Sequence, residues 1–302
     1  MRMKKKLLLI LNANAGMQKA NKYFVDILDL FIKSGYIITT SITQINYSAT
    51  EIVQDYGKNF DLIVCIGGDG TFNQTVAGVI KSGCNVPIGY IPAGSTNDFA
   101  NGLNLNKDIM SAAYDIIDGK EIKLDIGKFN DRYFSYVASS GIFTRVSYAT
   151  PQEAKNIFGR LAYIFEGVRD LADLKSEHLK IETQDTVFED DYIFSAFCNA
   201  TSVGGVLKLN QNLVDLSDGL FELLLIKMPK NIIELSEIIY ALRNQDYSTN
   251  LLTFNPISQA EVFCDSSISW TLDGEYMAGC KGIRMEVINN AITLIVPDRN
   301  KN

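Results

Sequence analysis

The chain has 302 residues, of which 47% are hydrophobic and 21% charged, so it can bury one large core or two ordinary ones. The formal net charge of −7 argues against a nucleic-acid-binding protein, whose footprint would be basic, and against docking on an anionic membrane by charge alone. Five cysteines without a C-x-x-C pair are typical of reduced thiols in a cytosolic protein. Because His178 is the sole histidine, a histidine-based triad or metal site is disfavoured.

The N-terminus superficially resembles a signal peptide, since basic Met1–Lys6 precedes the apolar run Leu7–Leu11. That run is only five residues long, and Asn12 follows without a small-residue cleavage site. No window approaches the roughly 18 apolar residues of a membrane-spanning helix. We therefore expect a first buried strand here and a soluble, cytoplasmic protein.

Residues 7–119 alternate between strand and helix patterns. Strands are predicted at Leu7–Leu11, Tyr36–Thr43, Asp61–Ile66 and Val86–Ile91. Helices are predicted after the loop Asn12–Gly16, after the Ser48–Glu51 capping box, from Phe72, and over Asp108–Asp118. Repeated units of this kind predict a parallel sheet with helices on both faces, which binds ligands beyond the carboxyl ends of its strands.

After Glu121 the pattern becomes that of an antiparallel sandwich or barrel. Strands are predicted at Ile122–Phe129, Arg132–Ser139, His178–Thr183, Tyr192–Asn199, Leu220–Lys227, Ala260–Phe263, Ser267–Leu272, Arg284–Val287 and Ala291–Val296, with turns at Asn130-Asp131 and Asn289-Asn290. Two helices, Phe158–Leu174 and Asn231–Arg243, either line the mouth of a cleft or pack on their own sheet. We place a first domain at residues 1–122 and a second at 123–302, with a C-terminal tail free to return to the first.

The most informative motif is Gly67-Gly68-Asp69-Gly70-Thr71, between a predicted strand and a predicted helix. Its glycines remove the Cβ atoms that would keep a ligand from the backbone, and the following helix turn favours an anion. Asp69 would repel a phosphate unless it acts through Mg²⁺ or ordered water. The motif therefore indicates a nucleotide triphosphate site, although a plain glycine-rich turn gives the same pattern.

A second turn, Gly94-Ser95-Thr96-Asn97-Asp98, follows the next predicted strand. Gly94 permits close approach of a ligand, the two hydroxyls can bind one, and Asn97 or Asp98 can cap a helix. Alone, this segment is equally well explained as a cap. Beside Gly67–Thr71 in one sheet, it becomes a candidate second wall of a phosphate site.

Together these turns resemble the diacylglycerol kinase catalytic domain, in particular the soluble bacterial lipid kinases. Family-like order continues at Leu124–Gly127, Phe134, Gly141, Leu161–Tyr163, Gly204-Gly205, Leu213–Phe221 and Asp273–Glu275. NAD kinases and phosphofructokinases share the glycine-aspartate turn but lack the segment Asn97–Ala100 in this context. The resemblance implies an α/β nucleotide-binding domain of the phosphofructokinase and NAD-kinase type, followed by a mainly antiparallel β-sandwich that takes the lipid.

The resemblance also implies transfer of the γ-phosphate of ATP to a lipid hydroxyl, with diacylglycerol as the expected acceptor. The nucleotide contacts it implies are Asn12, Gly16, Thr43, Gly67, Gly68, Asp69, Gly70, Thr71, Gln74, Gly94, Ser95, Thr96, Asn97 and Asp98. Asp69 and Asp98, with Asp125 nearby, would organise Mg²⁺ and water around the phosphates. The expected partners are ATP and a membrane-derived lipid, met in transient peripheral contact with the membrane, and a homodimer is an open alternative.

Two further sites follow from the resemblance. Asp215, Asp218 and the carbonyl of Leu220 are similar to a structural metal site remote from phosphoryl transfer, although an acidic β-turn explains them as well. Glu275 corresponds to the general base that takes the proton of the lipid hydroxyl. Asp273 is its neighbour or its alternative, and an aspartate in an Asp-Gly pair is also a usual turn former.

Three positions depart from the family pattern. Met17 stands where relatives carry Lys, Gln74 where they carry Glu, and Ser95 where they carry Thr. The first two bear on the affinity for ATP more than on the fold. Two other functions therefore stay open: a kinase of a soluble hydroxyl compound such as NAD, and a nucleotide-binding regulator without transfer activity.

Overall fold

The computed structural model describes residues 4–13, 19–141, 171, 174–199, 202–203, 207–208, 215–244 and 246–299. The chain divides into two compact units. Unit 1 comprises Met1–Leu124 with Asn290–Asn302, and unit 2 comprises Asp125–Asn289. In the described ranges, every helix is too short or too polar to cross a membrane.

Unit 1 contains a parallel sheet with flanking helices. Its strands are β1 (Lys5–Leu11), β2 (Tyr36–Ile42), β3 (Leu62–Gly67) and β4 (Ile88–Pro92), and they pair in the order β4–β3–β1–β2. Its helices are α1 (Lys19–Lys33), α2 (Ala49–Tyr56), α3 (Asp69–Ser82), α4 (Asp98–Gly102) and α5 (Ile109–Asp118), with a 3₁₀ turn at Gly57–Asn59. The predicted α/β class of this part of the chain is confirmed.

The local signals for these elements act as expected. Leu7–Leu11 of β1 and all six residues of β3 are buried, as a strand covered on both faces requires. The capping box of α2 is complete, because the Ser48 N–H donates to Glu51 at 2.8 Å and the Thr50 N–H donates to the Ser48 hydroxyl at 3.2 Å. Asp108 caps α5 by accepting the Ser111 N–H at 2.9 Å.

The remainder of the chain is rich in antiparallel strands. They are β5 (Lys120–Phe129), β6 (Arg132–Phe134), β7 (Val137–Gly141), β8 (Glu177–Thr183), β9 (Val187–Cys198), β10 (Ser202–Val203), β11 (Leu207–Lys208), β12 (Phe221–Lys227), β13 (Leu252–Ile257), β14 (Gln259–Cys264), β15 (Trp270–Leu272), β16 (Glu275–Met277) and β17 (Gly282–Val296), with one helix, α6 (Ile232–Asn244), in the described part. The long strand β9 pairs with β7 and β8 along one edge and with β12 along the other, all antiparallel. Trp270, Phe129 and Phe197 are in the core of unit 2.

The predicted turn at Asn289-Asn290 is wrong. Residues 282–296 form one strand, β17, in which Asn290 adopts a left-handed φ of 51° without reversing the chain. Gly282–Glu286 pair with β14, whereas Leu294 pairs in parallel with Ile88 of β4. These two pairings require an extended chain, and they override the turn preference of the Asn-Asn dipeptide.

Other predictions for the second half have mixed outcomes. The β5–β6 hairpin is confirmed, with Phe129 opposite Arg132, but its second strand stops at Phe134 and resumes only at Val137. The helix predicted at Asn231–Arg243 is confirmed, and the Asn231 side chain caps it. The predicted helix Phe158–Leu174, apart from Leu171 and Leu174, lies outside the described residues, as do the motif positions Leu161–Tyr163 and Gly204-Gly205. The strand β13 was not predicted.

Candidate active site

In unit 1 the two glycine-containing turns lie against each other. Gly68 is the N-cap of α3, and Asp69, Gly70 and Thr71 form the first turn of that helix. A Cβ atom added to Gly94 would come within 2.6 Å of the Gly68 Cα atom. The two glycines are therefore needed for contact between the turns themselves. The sequence alone had suggested a different reason for them, the close approach of a ligand.

Asp69 links the two turns through hydrogen bonds. Its carboxylate accepts the backbone N–H of Asp98 at 3.0 Å and that of Phe99 at 3.3 Å. These N–H groups belong to the first turn of α4, whose own N-cap, Asn97, makes no capping bond with its side chain. Asp69 thus supplies the missing cap from another element of unit 1.

Asn97 shapes the second turn. It adopts φ 53°, a left-handed conformation that asparagine tolerates better than most residues. Its side-chain oxygen accepts the Gly94 N–H at 2.9 Å, and its amide nitrogen donates to the Gly94 carbonyl at 3.0 Å. The described contacts of Asn97 are therefore those of a residue that closes the loop.

The carboxylates of Asp69 and Asp98 influence each other electrostatically. The pKa of Asp98 is raised to about 6, chiefly by burial and in addition by the negative charge of Asp69. Burial also raises the pKa of Asp69, although the backbone N–H groups of Asp98 and Phe99 oppose that shift. Two acidic groups held in this way favour a bound cation, because a positive charge relieves both the repulsion and the desolvation.

Tyr90 of β4 is a site residue that the sequence analysis missed. It is 2% exposed, and its hydroxyl has no hydrogen-bond partner among the described residues. Burial raises its pKa, and the charges of Asp69 and Asp98 add to the shift, which places the phenol near both carboxylates. A tyrosine in a strand next to two acidic turns was the available signal. A buried hydroxyl without a partner indicates that the site accommodates a further polar group or ion.

Two of the remaining predicted nucleotide contacts, Asn12 and Thr43, lie at the carboxyl ends of parallel strands. Asn12 follows β1, and its side-chain amide donates to the Thr71 hydroxyl at 2.9 Å. The Thr43 N–H donates to the Leu11 carbonyl at 3.0 Å, so Thr43 follows β2 at the same edge. Gln74 instead turns toward α2, since its side-chain oxygen accepts the Ala49 N–H at 3.4 Å. Ser95 is exposed and Thr96 half-buried, while Gly16 lies outside the described residues.

The raised pKa of Asp98 gives a test of this arrangement by pH. Between pH 3.8, the ordinary pKa of this carboxyl group, and about pH 6, Asp98 keeps its proton in the folded protein but has lost it in the unfolded chain. Its stabilising effect, complete below pH 3.8, is thus lost as the pH rises through 6. Asparagine does not titrate, so Asp98→Asn does not lose this stabilisation. We therefore expect the unfolding free energy of Asp98→Asn, relative to that of the wild type, to rise by ~1–3 kcal/mol between pH 4 and pH 8. Denaturant titrations at several pH values check this, and parallel pH curves would contradict it.

In unit 2, the segment Asp215–Leu220 forms a compact acidic loop. Asp215 accepts the Ser217 N–H at 3.0 Å, and Asp218 accepts the Leu220 N–H at 2.9 Å. Asp125, which is fully buried, fastens this loop, because its carboxylate accepts the Gly219 N–H at 2.6 Å. Among the described residues, no group of three or more His, Cys, Asp or Glu side chains is arranged to hold a metal ion.

Glu222 lies next to this loop, and the sequence analysis missed it. It is the second residue of β12, between apolar Phe221 and Leu223, and is 4% exposed. One of its carboxylate oxygens has no hydrogen-bond partner among the described residues. Burial raises the pKa of Glu222 to about 8, and the charge of Asp218 contributes to that shift. A lone glutamate at a buried strand position was the sequence signal.

The two predicted proton acceptors, Asp273 and Glu275, lie in different environments at the Asp273-Gly274 turn. Both turn residues have positive φ, 51° and 84°, as a two-residue hairpin between β15 and β16 requires. The Asp273 carboxylate is buried and accepts the N–H groups of Ser135 at 2.5 Å, Tyr136 at 3.0 Å and Val137 at 3.1 Å. Those bonds explain the interruption between β6 and β7. Glu275, in contrast, is exposed.

Comparisons with known proteins agree on one family. Residues 6–129 match the family model described as the diacylglycerol kinase catalytic domain. The chain is 32% identical over 276 residues to a diacylglycerol kinase of Staphylococcus saprophyticus, covering 91% of this chain and 90% of that protein. It is 31% identical over 275 residues to a diacylglycerol kinase of Bacillus subtilis, with 90% of each chain covered. A solved structure of a diacylglycerol kinase from Bacillus anthracis has the same fold, with a TM-score of 0.72 at 20% identity over 99% of this chain and 98% of that one.

Proposed function

Since this chain belongs to the diacylglycerol kinase family, we propose that it transfers the γ-phosphate of ATP to the free hydroxyl of diacylglycerol and forms phosphatidic acid. The observation that carries the proposal is the pair of touching turns in unit 1. There the half-buried Asp69 and Asp98 form an electronegative site beside the Tyr90 hydroxyl, which has no hydrogen-bond partner among the described residues. Phosphoryl transfer needs positioned phosphates and neutralised charge, and this site offers the groups for both.

We assign the nucleotide to the carboxyl edge of the parallel sheet. Three polar side chains line this edge: Asn12 after β1, Thr43 after β2, and Thr71 in the first turn of α3. The first turn of α3 has no side-chain cap at Gly68, so its N–H groups suit phosphate oxygens. Ser95 and Thr96 add hydroxyl groups on the second turn.

The donor set of Asp69 and Asp98 suits Mg²⁺, which prefers carboxylate oxygens and water and is usually held by one or two carboxylates together with substrate phosphates. When bound, the ion would neutralise charge on the phosphate oxygens. Asp69 has a second duty, because the same carboxylate caps α4 and holds the second turn in place. The Tyr90 hydroxyl, which has no hydrogen-bond partner among the described residues, is available to donate to a water at this site.

We assign the proton transfer to Glu275. The hydroxyl oxygen of the lipid attacks the γ-phosphorus, the bond from that phosphorus to the bridging oxygen of ADP breaks, and the hydroxyl proton passes to a carboxylate. Glu275 is exposed and thus accessible to a substrate, whereas three backbone N–H groups occupy the Asp273 carboxylate. Asp273 then positions the hairpin that carries Glu275.

The assay that tests the function follows phosphate from γ-labelled ATP into an acceptor. Diacylglycerol is presented in detergent micelles and in vesicles, with NAD and monoacylglycerol as competing acceptors, and with and without Mg²⁺. We expect label in phosphatidic acid only when Mg²⁺ is present. Label in NADP would assign a soluble hydroxyl substrate, and nucleotide binding without transfer to any acceptor would indicate a regulator.

A cation held by Asp215, Asp218 and the Leu220 carbonyl is a separate proposal for unit 2. It is supported by Glu222, whose pKa is influenced by Asp218 and one of whose buried oxygens has no partner among the described residues, because a cation would compensate that carboxylate. Such an ion would fasten the loop, with no part in transfer.

Replacing both loop aspartates should remove this cation. We expect Asp215→Ala with Asp218→Ala to lose one equivalent of bound metal and about 2–5 °C in Tm, with kcat changed less than about threefold. The matched control is Asp246→Ala with Asp265→Ala, since these exposed aspartates make the same turn contacts with Ser248 and Ser267. Equal metal content in both double variants would refute the cation site.

A further inference from the structure

Two cysteines of unit 2 lie at the base of one segment. Cys264 ends β14 and Cys280 precedes β17, and β14 and β17 pair with Phe263 opposite Gly282. The ladder continues one step further, because the Cys264 N–H donates to the Lys281 carbonyl at 3.3 Å. Cys280 is therefore the next residue beyond the partner of Cys264.

Both cysteine side chains are half-buried in unit 2. Strand alternation would place adjacent residues on opposite faces, but Cys280 lies outside β17, where the backbone is irregular. Both cysteines pack against the apolar core of unit 2. The Cys264 thiol donates to the carbonyl oxygen of Cys280 at 3.3 Å, so its sulfur already contacts the residue that carries the second thiol.

The ends of the intervening segment, Asp265–Gly279, are also in contact. A Cβ atom on Gly279 would lie 1.8 Å from the Ile268 carbonyl oxygen and 2.8 Å from that of Ser266. The backbone is thus already closed where a cross-link between the two sulfurs would close it. Such pre-organisation removes much of the distortion that defeats many disulfides between residues placed at random.

The two thiols have different chemical roles. Cys280 is half-buried; its sulfur accepts a hydrogen bond from the Asn130 amide at 3.5 Å, and its thiol donates to the Gly282 carbonyl at 3.3 Å. Burial raises the pKa of Cys264 to about 11, so this thiol stays protonated. Cys280 is the thiol that an oxidant meets first, and Cys264 is the resolving thiol.

We propose that Cys264 and Cys280 are a redox-modification site, at which a hydroperoxide converts the two thiols into a reversible disulfide that closes the segment Asp265–Gly279. In the first step the Cys280 sulfur attacks one peroxide oxygen, the O–O bond breaks, and the leaving oxygen departs as water or an alcohol. The Cys264 sulfur then attacks the sulfenic sulfur, the S–O bond breaks, and the hydroxyl leaves as water with the Cys264 proton. Two thiols and one peroxide give one disulfide, one alcohol or water, and one further water.

The segment enclosed by this bond contains β15, the Asp273-Gly274 turn and Glu275. The cross-link would therefore hold at its base the hairpin to which the proposed function assigns the proton acceptor. The disulfide itself can be detected without any assay of transfer, so failure of the redox proposal and failure of the proposed function are distinguishable.

The sequence allows a direct mapping experiment. Trypsin leaves both cysteines on one peptide, Asn244–Lys281, because no Lys or Arg lies between Arg243 and Lys281. The full chain is treated with hydrogen peroxide, free thiols are blocked under denaturing conditions, and this peptide is weighed. We expect it to lose two hydrogens and to carry no blocking group, and free thiols to fall from five to three. Cleavage after Glu275 should leave two pieces that separate only on reduction.

Three further measurements make the test decisive. Cys264→Ser and Cys280→Ser should each prevent the bond, and the buried Cys84→Ser, in the other unit, should not. In the wild type, oxidation should raise Tm by roughly 3–8 °C and slow amide exchange across residues 265–279. Neither effect should occur in Cys264→Ser or in Cys280→Ser. Sulfinic acid at Cys280 with Cys264 unmodified, or an unchanged peptide mass, would overturn the proposal.

Discussion

Asp69→Asn is expected to reduce phosphoryl transfer by about 10³-fold or more while the protein stays folded, because it removes the negative charge proposed to hold Mg²⁺. Asparagine retains one oxygen acceptor, so the Asp98 N–H keeps a partner and only the longer bond from Phe99 is lost. The cost in unfolding free energy should then be about 1 kcal/mol. Activity at saturating ATP and denaturant unfolding, measured together, separate the two effects.

Asp69→Ala tests the structural duty of the same residue. It leaves two N–H groups of the first turn of α4 without an acceptor, so we expect a loss of ~1–3 kcal/mol in unfolding free energy in addition to the loss of activity. Asp29→Asn is the control, since it removes an exposed charge from the same unit. If Asp69→Asn keeps activity within a few-fold of the wild type, Asp69 has no part in the mechanism.

The parallel part of the fold could be predicted because its signals are local. Five successive buried residues in β1, the capping box at Ser48 and the Asp108 cap all act over a few positions of sequence. The extended conformation at Asn289-Asn290 could not be predicted in this way. These residues lie within β17, whose two ends pair with β14 and with β4, and β4 is distant in sequence. Long-range pairing decided the conformation there.

The candidate site shows the same division. The two turns were recognisable as a pair, since each contains a glycine and an aspartate after a predicted strand. Asp69 caps α4 by accepting N–H groups from residues that follow it by 29 and 30 positions, so no local sequence pattern predicts this contact. Likewise, only the structure shows that buried oxygens of Tyr90 and Glu222 have no hydrogen-bond partner among the described residues.

Glu275→Gln is expected to lower kcat by roughly 10²–10⁴-fold, the range for loss of a positioned proton acceptor. The affinity for ATP should stay within about twofold, because the proposed nucleotide contacts are all in unit 1. Tm should not change, since the side chain is exposed and the substitution preserves its size. Steady-state kinetics with saturating lipid, nucleotide binding and thermal unfolding check these three statements. Glu261→Gln, an exposed glutamate on β14, is the control for loss of one charge.

Asp273→Asn should show the opposite balance. Its carboxylate accepts three backbone N–H groups, and an amide in its place would direct its own N–H₂ at some of them. We expect a loss of ~2–4 kcal/mol in unfolding free energy, with kcat reduced less than in Glu275→Gln when both are measured well below Tm. If Asp273→Asn is as stable as the wild type and loses more activity than Glu275→Gln, the proton acceptor is Asp273. Weakened ATP binding in Glu275→Gln would instead mean that its carboxylate serves the nucleotide or its metal.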